Sequence, residues 1–199
     1  MAGYTCEMKV NMYVVWCLIS VLIAVLPCRA ESFARGKSAD LSVMAGEMIM
    51  TGFRGQALEH DNAPPLRALR EGKIGGVILF AKDIQTGKTR NISSPEQLKA
   101  LTARLAEAGS AGPCAPVWIA VDQEGGRVRR LSAHNGFRDW PSALNMGRRS
   151  PQHTWETALD MGLMLADMGI NLNFAPSLDL HWPDSPAIGR QERAFSSEP

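Results

Sequence analysis

The sequence predicts an α/β fold in which parallel strands alternate with helices. Apolar segments rich in strand-forming residues recur along the chain at 48–53, 74–80, 117–121 and 171–175. Each segment is apolar almost without interruption, which is typical of strands buried on both faces of a parallel sheet. Helical patterns lie between these segments, and the resulting β-α-β-α-β-α-β order favours right-handed βαβ units.

Capping signals mark the helix between the second and third strands. The segment Ser94-Pro95-Glu96-Gln97 places a hydroxyl cap before a proline and a glutamine at the capping-box position. Leucine and alanine then recur at helical spacing up to Gly109, which is expected to end the helix.

The helix before the fourth strand is predicted to begin at Ser150-Pro151 and to end at Gly169. Its predicted apolar face consists of Trp155, Leu159, Gly162, Leu163 and Ala166. A shorter helix that includes Leu41, Met44 and Ala45 precedes the first strand.

The third strand segment leads into the most informative motif, residues 117–131, which read Val-Trp-Ile-Ala-Val-Asp-Gln-Glu-Gly-Gly-Arg-Val-Arg-Arg-Leu. Ligands bind at the carboxyl ends of parallel strands, so Asp122 is expected at a binding edge. Gly125 and Gly126 allow a sharp turn and a close approach of the backbone. The arginines that follow can pair with the acidic residues of the motif or with a polar substrate. A surface salt-bridge loop without a ligand explains the same pattern, so both interpretations stay open here.

Composition places the chain among ordinary globular proteins. Of its 199 residues 45% are hydrophobic, and the formal net charge is +1 with no basic tract of the kind that binds nucleic acid. There is no phosphate-binding loop, no dinucleotide glycine motif and no Gly-x-Ser-x-Gly motif. The histidines lack metal-ligand spacing and are expected on the surface or in loops: His60, His134, His153 and His181. We therefore expect no metal, no cofactor and no nucleic-acid partner.

Residues 1–30 are expected to form a cleavable signal peptide. Lys9 precedes a mostly apolar run from Met12 to Leu26, and Ala30 offers a small residue before a cleavage site. The run is shorter than the roughly 20 apolar residues that a membrane-spanning helix needs.

Cleavage would leave residues 31–199 as a formally neutral chain whose single cysteine is Cys114, so no intrachain disulfide could form. We expect this portion to be periplasmic or secreted and not stably inserted in a membrane. An uncleaved anchor is the alternative, whereas Pro27 fits poorly with lipidation of Cys28.

Five segments together resemble the N-terminal catalytic domain of glycoside hydrolase family three, especially its bacterial β-N-acetylhexosaminidases. They cover residues 48–55, 75–80, 121–130, 171–176 with Asp179, and 188–189 followed by 193–195, in family order. The motif from Asp122 to Arg130 is the most specific of them. The resemblance extends over residues 41–199.

This resemblance implies the N-terminal half, about four βα units, of a (β/α)₈ barrel whose site lies at the carboxyl ends of the strands. The matching family positions imply that Asp122, Arg130 and Arg193 bind the sugar in the −1 subsite. A carboxylate accepts hydrogen bonds from neighbouring sugar hydroxyls, and a guanidinium donates in a fixed fork. A structural ion pair of Arg193 with Glu192 or Glu198 is the alternative.

Two long loops accompany the expected site. Residues 82–94 are expected to be solvated, and residues 132–149 are expected to form a rim. Within the rim, Trp140 either stacks on a sugar ring or fills a hydrophobic gap under the loop. Asp179 is expected to support the loop after the fourth strand.

The family's lysine-histidine pair, its histidine-aspartate acid/base dyad and its nucleophilic aspartate have no counterpart up to Pro199. We therefore expect residues 31–199 to be a partial domain whose nucleophile and acid/base residue lie beyond Pro199. On this interpretation the fragment alone is inactive.

The resemblance implies a carbohydrate partner and an exported, retaining glycosidase that acts on terminal β-linked N-acetylhexosamine. A β-glucosidase or β-xylosidase of the same family is one alternative, and a non-catalytic carbohydrate-binding protein is another. An unrelated (β/α)₈ aldolase or isomerase would need a phosphate site or a catalytic lysine in a barrel strand, and the sequence offers neither.

Overall fold

The computed structural model describes residues 40–114 and 116–199. The expected signal peptide, residues 1–30, lies outside the described residues. The helices are α1 (Leu41–Glu47), α2 (Pro64–Arg70), α3 (Pro95–Ser110), α4 (Ala143–Gly147) and α5 (Pro151–Asp167), with a short 3₁₀ helix at Ala133–Asn135. The strands are β1 (Met50–Gly52), β2 (Gly76–Leu79), β3 (Trp118–Val121) and β4 (Leu172–Asn173).

The four strands form one parallel sheet in the order β1-β2-β3-β4, which confirms the predicted α/β fold. The register pairs Met50 with Gly76 and Ala120 with Leu172. Because the strands are parallel and consecutive, the loops that follow them converge at one edge of the sheet.

Each strand is shorter than the apolar segment that predicted it. At the end of β2 the backbone amide of Phe80 donates to the Asn91 side-chain oxygen at 3.1 Å. The amide of Asn91 in turn donates to the Phe80 carbonyl at 2.8 Å. These bonds replace pairing with a neighbouring strand and turn the chain out of the sheet.

Helix α3 begins as predicted, because the Ser94 hydroxyl accepts a hydrogen bond from the Gln97 amide at 3.2 Å. The Gln97 side chain reaches one residue further than a capping box requires, and its oxygen accepts from the Ser93 amide at 2.8 Å. Gly109 was expected to end this helix, but the helix continues to Ser110. Gly109 instead allows close packing, since a Cβ there would lie 2.6 Å from the Val117 Cβ.

The predicted apolar face of α5 is wrong. The buried residues are Thr157, Met161 and Leu165, whereas Trp155 and Leu163 are 60% and 61% exposed. Met161 and Leu165 belong to the hydrophobic core, so the helix turns its methionine-bearing side towards the sheet. Because α5 is apolar on two sides, spacing alone does not reveal which side meets the core.

The core fills the space between the sheet and the long helices. Its largest fully buried side chains include Leu66, Leu79, Leu98, Leu105 and Ile119. Complete burial of one such side chain stabilises the fold by roughly 1.5–3 kcal/mol. Among the described helices, none combines the length and the apolar character needed to span a membrane.

Candidate functional site

Asp122 directly follows β3, at the carboxyl edge of the sheet. Its Oδ2 accepts a hydrogen bond from the Arg130 Nη2 at 2.7 Å, and the two side chains are 25% and 24% exposed. The structure therefore contains one of the pairings between an arginine and a carboxylate that the motif allows. A charged pair that remains open to solvent can rearrange to share its acceptor and donor atoms with a polar ligand.

The turn that returns Arg130 to Asp122 depends on two glycines. Gly125 has a φ of 91° and Gly126 a φ of 56°, a region that other residues rarely adopt. A Cβ at Gly125 would collide with the Pro141 carbonyl, and one at Gly126 would lie 2.5 Å from the Ser142 Cβ. The expected sharp turn and close backbone approach are both present.

Gln123 holds the same turn from inside the protein. Its buried side-chain oxygen accepts hydrogen bonds from the Arg130 and Leu131 amides at 2.9 and 3.0 Å. Its backbone amide donates to the Asn173 side-chain oxygen at 2.9 Å, which ties the turn to β4. Sequence reasoning missed this role, although an amide side chain two positions after a buried strand requires hydrogen-bond partners and was the available signal.

Arg193 pairs with Glu124 rather than with the expected alternatives, Glu192 or Glu198. Its Nη2 donates to Glu124 Oε1 at 2.7 Å, and its Nε donates to Oε2 at 2.9 Å. The Glu124 side chain is 6% exposed and that of Arg193 is 30% exposed. The planar guanidinium meets both carboxylate oxygens, a geometry that lysine cannot reproduce.

The backbone around Arg193 is fixed against α4. The Leu144 amide donates to the Glu192 carbonyl at 3.2 Å, and Glu192 itself has a φ of 58°. Gly147 leaves the space that the Phe195 carbonyl occupies. Arg193 is therefore anchored through its main chain as well as through its side chain.

Acidic groups surround the Arg193 guanidinium. The hydrogen bond with Glu124 raises the pKa of Arg193 above its ordinary value, although partial burial opposes this effect. The charges of Glu124, Asp179 and Asp122 raise that pKa further, which places all three carboxylates in its electrostatic environment. Asp179 also accepts a hydrogen bond from the Ser177 hydroxyl at 2.9 Å, within the loop after β4.

Phe80, at the end of β2, adds an aromatic face that sequence reasoning did not assign to the site. The guanidinium carbon of Arg90 lies 4.6 Å from the ring centre, and that of Arg130 lies 5.8 Å from it. Arg90 also donates through Nε to the Phe53 carbonyl at 2.7 Å. The ring thus limits where the Arg130 side chain can lie.

The loop after β2 is largely exposed, as expected, but its Asp83 is buried. Asp83 accepts a hydrogen bond from Arg54 Nε at 2.5 Å and one from each of the Gln85 and Thr86 amides at 3.0 Å. The bond with Arg54 is the main cause that lowers the pKa of Asp83 to about 2. This acid therefore fixes the loop after β2.

Trp140 fills a gap under the rim loop and does not offer its ring to a ligand. It is 5% exposed, and the Arg138 guanidinium covers the ring at 4.4 Å. The hydrophobic-plug interpretation is therefore correct. Within residues 40–114 and 116–199, no group of histidine, cysteine and acidic side chains is arranged to hold a metal ion.

Curated relatives share this sequence over most of its described length. A beta-hexosaminidase from Alkalilimnicola ehrlichii is 37% identical over 158 residues, which cover 76% of this chain and 40% of that protein. A beta-hexosaminidase from Nitrosomonas eutropha is 40% identical over 133 residues, which cover 63% of this chain and 34% of that protein. The chain thus spans two fifths or less of the length of these two relatives.

Solved structures are similar in fold as well. A glycoside hydrolase family 3 beta-N-acetylglucosaminidase from Paenibacillus sp. str. FPU-7 has a TM-score of 0.60 and 33% identity, over 71% of this chain and 25% of that chain. NagZ from Neisseria gonorrhoeae has a TM-score of 0.55 and 30% identity, over 74% of this chain and 40% of that chain. Residues 37–199 match the glycosyl hydrolase family 3 N terminal domain. The chain therefore belongs to glycosyl hydrolase family 3, and its parallel sheet is part of the (β/α)₈ barrel of that family.

Proposed function

We propose that this chain supplies the sugar-binding part of a glycosidase that removes terminal β-linked N-acetylhexosamine. One observation carries the proposal. The half-buried Asp122–Arg130 pair lies at the carboxyl edge of the sheet, where the charge of Asp122 also acts on Arg193. Ligands of parallel α/β proteins bind at this edge.

The chemistry of the three residues suits a neutral sugar. One Asp122 oxygen is engaged by Arg130, which leaves Oδ1 to accept hydrogen bonds from ring hydroxyls. Arg130 and Arg193 retain N–H groups that can donate to hydroxyl or carbonyl oxygens. The three side chains are 24% to 30% exposed, so a ligand can reach them.

The N-acetylhexosamine class is the substrate favoured by the relatives. Proteins of 37% and 40% identity are beta-hexosaminidases. The Neisseria gonorrhoeae NagZ, at 30% identity and a TM-score of 0.55, binds N-trifluoroacetyl-D-glucosamine in one of its structures. We take the same sugar class as the ligand of this chain.

The reaction proposed for the whole enzyme retains the anomeric configuration through a covalent glycosyl intermediate. Two carboxylates near Arg193 are both engaged in ion pairs, which supports a binding role for them rather than a nucleophilic one. Asp122 is paired with Arg130, and Glu124 with Arg193. We propose that the nucleophile and the acid/base residue come from the portion of the relatives that this chain does not cover. The apolar run after Lys9 supports export to the periplasm or the medium.

Isothermal titration of the purified chain with N-acetyl-D-glucosamine, D-glucose and D-xylose tests the proposal. N-Acetylglucosamine should bind most tightly, and Asp122→Asn should weaken its binding at least about tenfold, because a charged acceptor is lost. Asp167→Asn is the matched control, since Asp167 is 64% exposed and bonds Lys99 on the surface. Equal binding by the wild type and Asp122→Asn would refute the proposed site, and preference for glucose or xylose would reassign the sugar class.

Hydrolysis tests separately whether this chain binds the sugar without cleaving it. The chain alone should not release nitrophenol from an aryl N-acetyl-β-D-glucosaminide. The opposite result is a chain that hydrolyses the substrate as the Asp122→Asn variant and loses this activity when another carboxylate is changed. That result would place the catalytic groups within this chain.

A further inference from the structure

A cleft opens between the loops that follow β2 and β3. Its volume is about 380 Å³, which lies within the range of small-molecule sites. The polar side chains that line it include Lys82, Ser93, Ser132, His134 and Asn135. Neither the sugar-binding proposal nor the family match assigns a role to this cleft.

The cleft is connected to the backbone of Arg130 through one of its lining residues. The Asn135 side chain donates to the Arg130 carbonyl at 3.1 Å, so one wall begins where Arg130 is held. The opposite wall includes Ala81, which follows the Phe80 ring against which Arg130 lies. The cleft therefore borders the two loops that also hold Arg130 in place.

The position of the cleft indicates that its shape does not depend on strands outside the described sheet. It lies between the loops of two inner strands, and both strands have neighbours on each side in the described sheet. The larger cavity of about 940 Å³ borders the loop after the edge strand β1, where an adjoining strand could fill it. Closure of a complete sheet around β1 would alter that cavity and leave the inner cleft in place.

Charge identifies the kind of ligand. In the described part of the chain, no carboxylate lies within ion-pair distance of Lys82 or His134. The acids nearest in sequence are engaged elsewhere: Asp83 pairs with Arg54 at 2.5 Å, and Asp139 pairs with Arg129 at 3.3 Å. The cleft therefore presents a lysine donor and an imidazole without a compensating negative charge.

The hydroxyls of the cleft are oriented in a way that favours a saccharide. Ser93 donates to the Gln97 side-chain oxygen at 3.0 Å, and Ser132 donates to the Asn135 side-chain oxygen at 3.2 Å. Since their protons are used, these hydroxyls offer lone pairs to the O–H groups of a ligand. A saccharide with one anionic group can donate its hydroxyl protons to the serines and pair its charge with Lys82.

We propose that this cleft is a second subsite that binds an anionic substituent, carboxylate or phosphate, on a saccharide held at Asp122 and Arg130. The link to a saccharide rests on the proposed function, whereas anion binding by the cleft does not. Lys82 supplies the main charge, and His134 contributes a further ring nitrogen donor.

Titration calorimetry with D-glucose, D-glucuronate, glucose 6-phosphate and inorganic phosphate tests this subsite. Both acidic sugars should bind at least about tenfold more tightly than glucose, and Lys82→Met should remove the difference. Lys88→Met is the matched control, because Lys88 is exposed in the same loop but does not line the cleft. A stronger response to glucuronate identifies a carboxylate as the preferred group, and a stronger response to glucose 6-phosphate identifies a phosphate.

The two proposals fail separately. If Asp122→Asn abolishes sugar binding while inorganic phosphate still binds and still depends on Lys82, anion binding by the cleft does not require the sugar site, as proposed. If the wild type ignores N-acetylglucosamine but binds phosphate through Lys82, the sugar site fails and the anion site stands. Equal binding of glucose and both acidic sugars, or an equal loss in Lys82→Met and Lys88→Met, would overturn the anionic subsite.

Discussion

Glu124 and Arg193 are 69 positions apart, yet both oxygens of the Glu124 carboxylate accept hydrogen bonds from the Arg193 guanidinium. The pair joins the loop after β3 to the segment that follows β4. Glu124 thereby positions Arg193, which comes from a different segment of the chain than Asp122 and Arg130.

The Glu124→Gln substitution should lower the free energy of unfolding by about 1–3 kcal/mol. A neutral amide has only one oxygen that can accept hydrogen bonds from the Arg193 guanidinium. The 30% exposure of Arg193 keeps the loss at this level, since water can solvate the released charge. Urea denaturation measures it. Asp160→Asn is the control: its pair with Arg138 is exposed and 3.5 Å long, so less than about 1 kcal/mol should be lost. Equal losses in the two variants would contradict the positioning role of Glu124.

Two glycine-to-alanine substitutions should have opposite effects. Gly125→Ala should destabilise the fold by at least about 1–3 kcal/mol, because its φ of 91° is strained for alanine and the new methyl group meets the Pro141 carbonyl. Gly162→Ala should stabilise it by roughly 0.5–1 kcal/mol, because Gly162 lies within α5 and nothing lies within 4 Å of the new methyl group. Thermal melts of both variants test this, and a stable Gly125→Ala protein would refute the proposed geometry of the turn.

Acid should weaken the fold partly through Asp83. The folded-state pKa of Asp83 is about 2, lower than its ordinary value of 3.8. Its contribution is therefore complete above that ordinary value and is lost as the pH falls through about 2. In Asp83→Asn the unfolding free energy should be lower at neutral pH and should fall less steeply in acid. Asp61→Asn, at a side chain that is 76% exposed, should keep the wild-type slope.

The described portion should self-associate when it is isolated. Trp155 and Leu163 remain exposed on α5, and β1 and β4 are the edges of the described sheet. Unpaired strand edges and large apolar patches promote association. Sedimentation velocity should detect dimers or larger species, and Trp155→Glu with Leu163→Lys should reduce them. A monomeric wild-type chain that melts cooperatively would contradict this expectation and would support the self-contained carbohydrate-binding alternative.

Periodicity was enough to predict the strands, their parallel order and the start of α3. The apolar segments are one to three residues longer than the strands. Hydropathy does not indicate where a side chain such as that of Asn91 forms hydrogen bonds with the backbone and ends the pairing. The same limitation explains the error on α5. Its tryptophan and leucines are the strongest apolar residues of the helix, but Met161 and Leu165 are the ones that reach the core.

The motif predicted that its arginines can pair with its acidic residues, because both lie within one short turn, but it left open which residues would pair. The partner of Arg193 could not be predicted in this way. Glu192 and Glu198 are close in sequence, whereas Glu124 approaches Arg193 only after the loop after β3 and the C-terminal segment have packed together. Gln123 was missed for a related reason, since its partners Arg130, Leu131 and Asn173 are set by the tertiary fold.

Asp122, Arg130 and Arg193 are proposed to bind one sugar. Titration of the ¹⁵N-labelled chain with N-acetyl-D-glucosamine, followed by heteronuclear NMR, shows which residues the sugar contacts. We predict that the largest amide shift changes fall on Gln123, Arg130 and Arg193 and that they disappear in Asp122→Asn. Shift changes confined to other surfaces, or unchanged in Asp122→Asn, would mean that the sugar does not bind at these three residues.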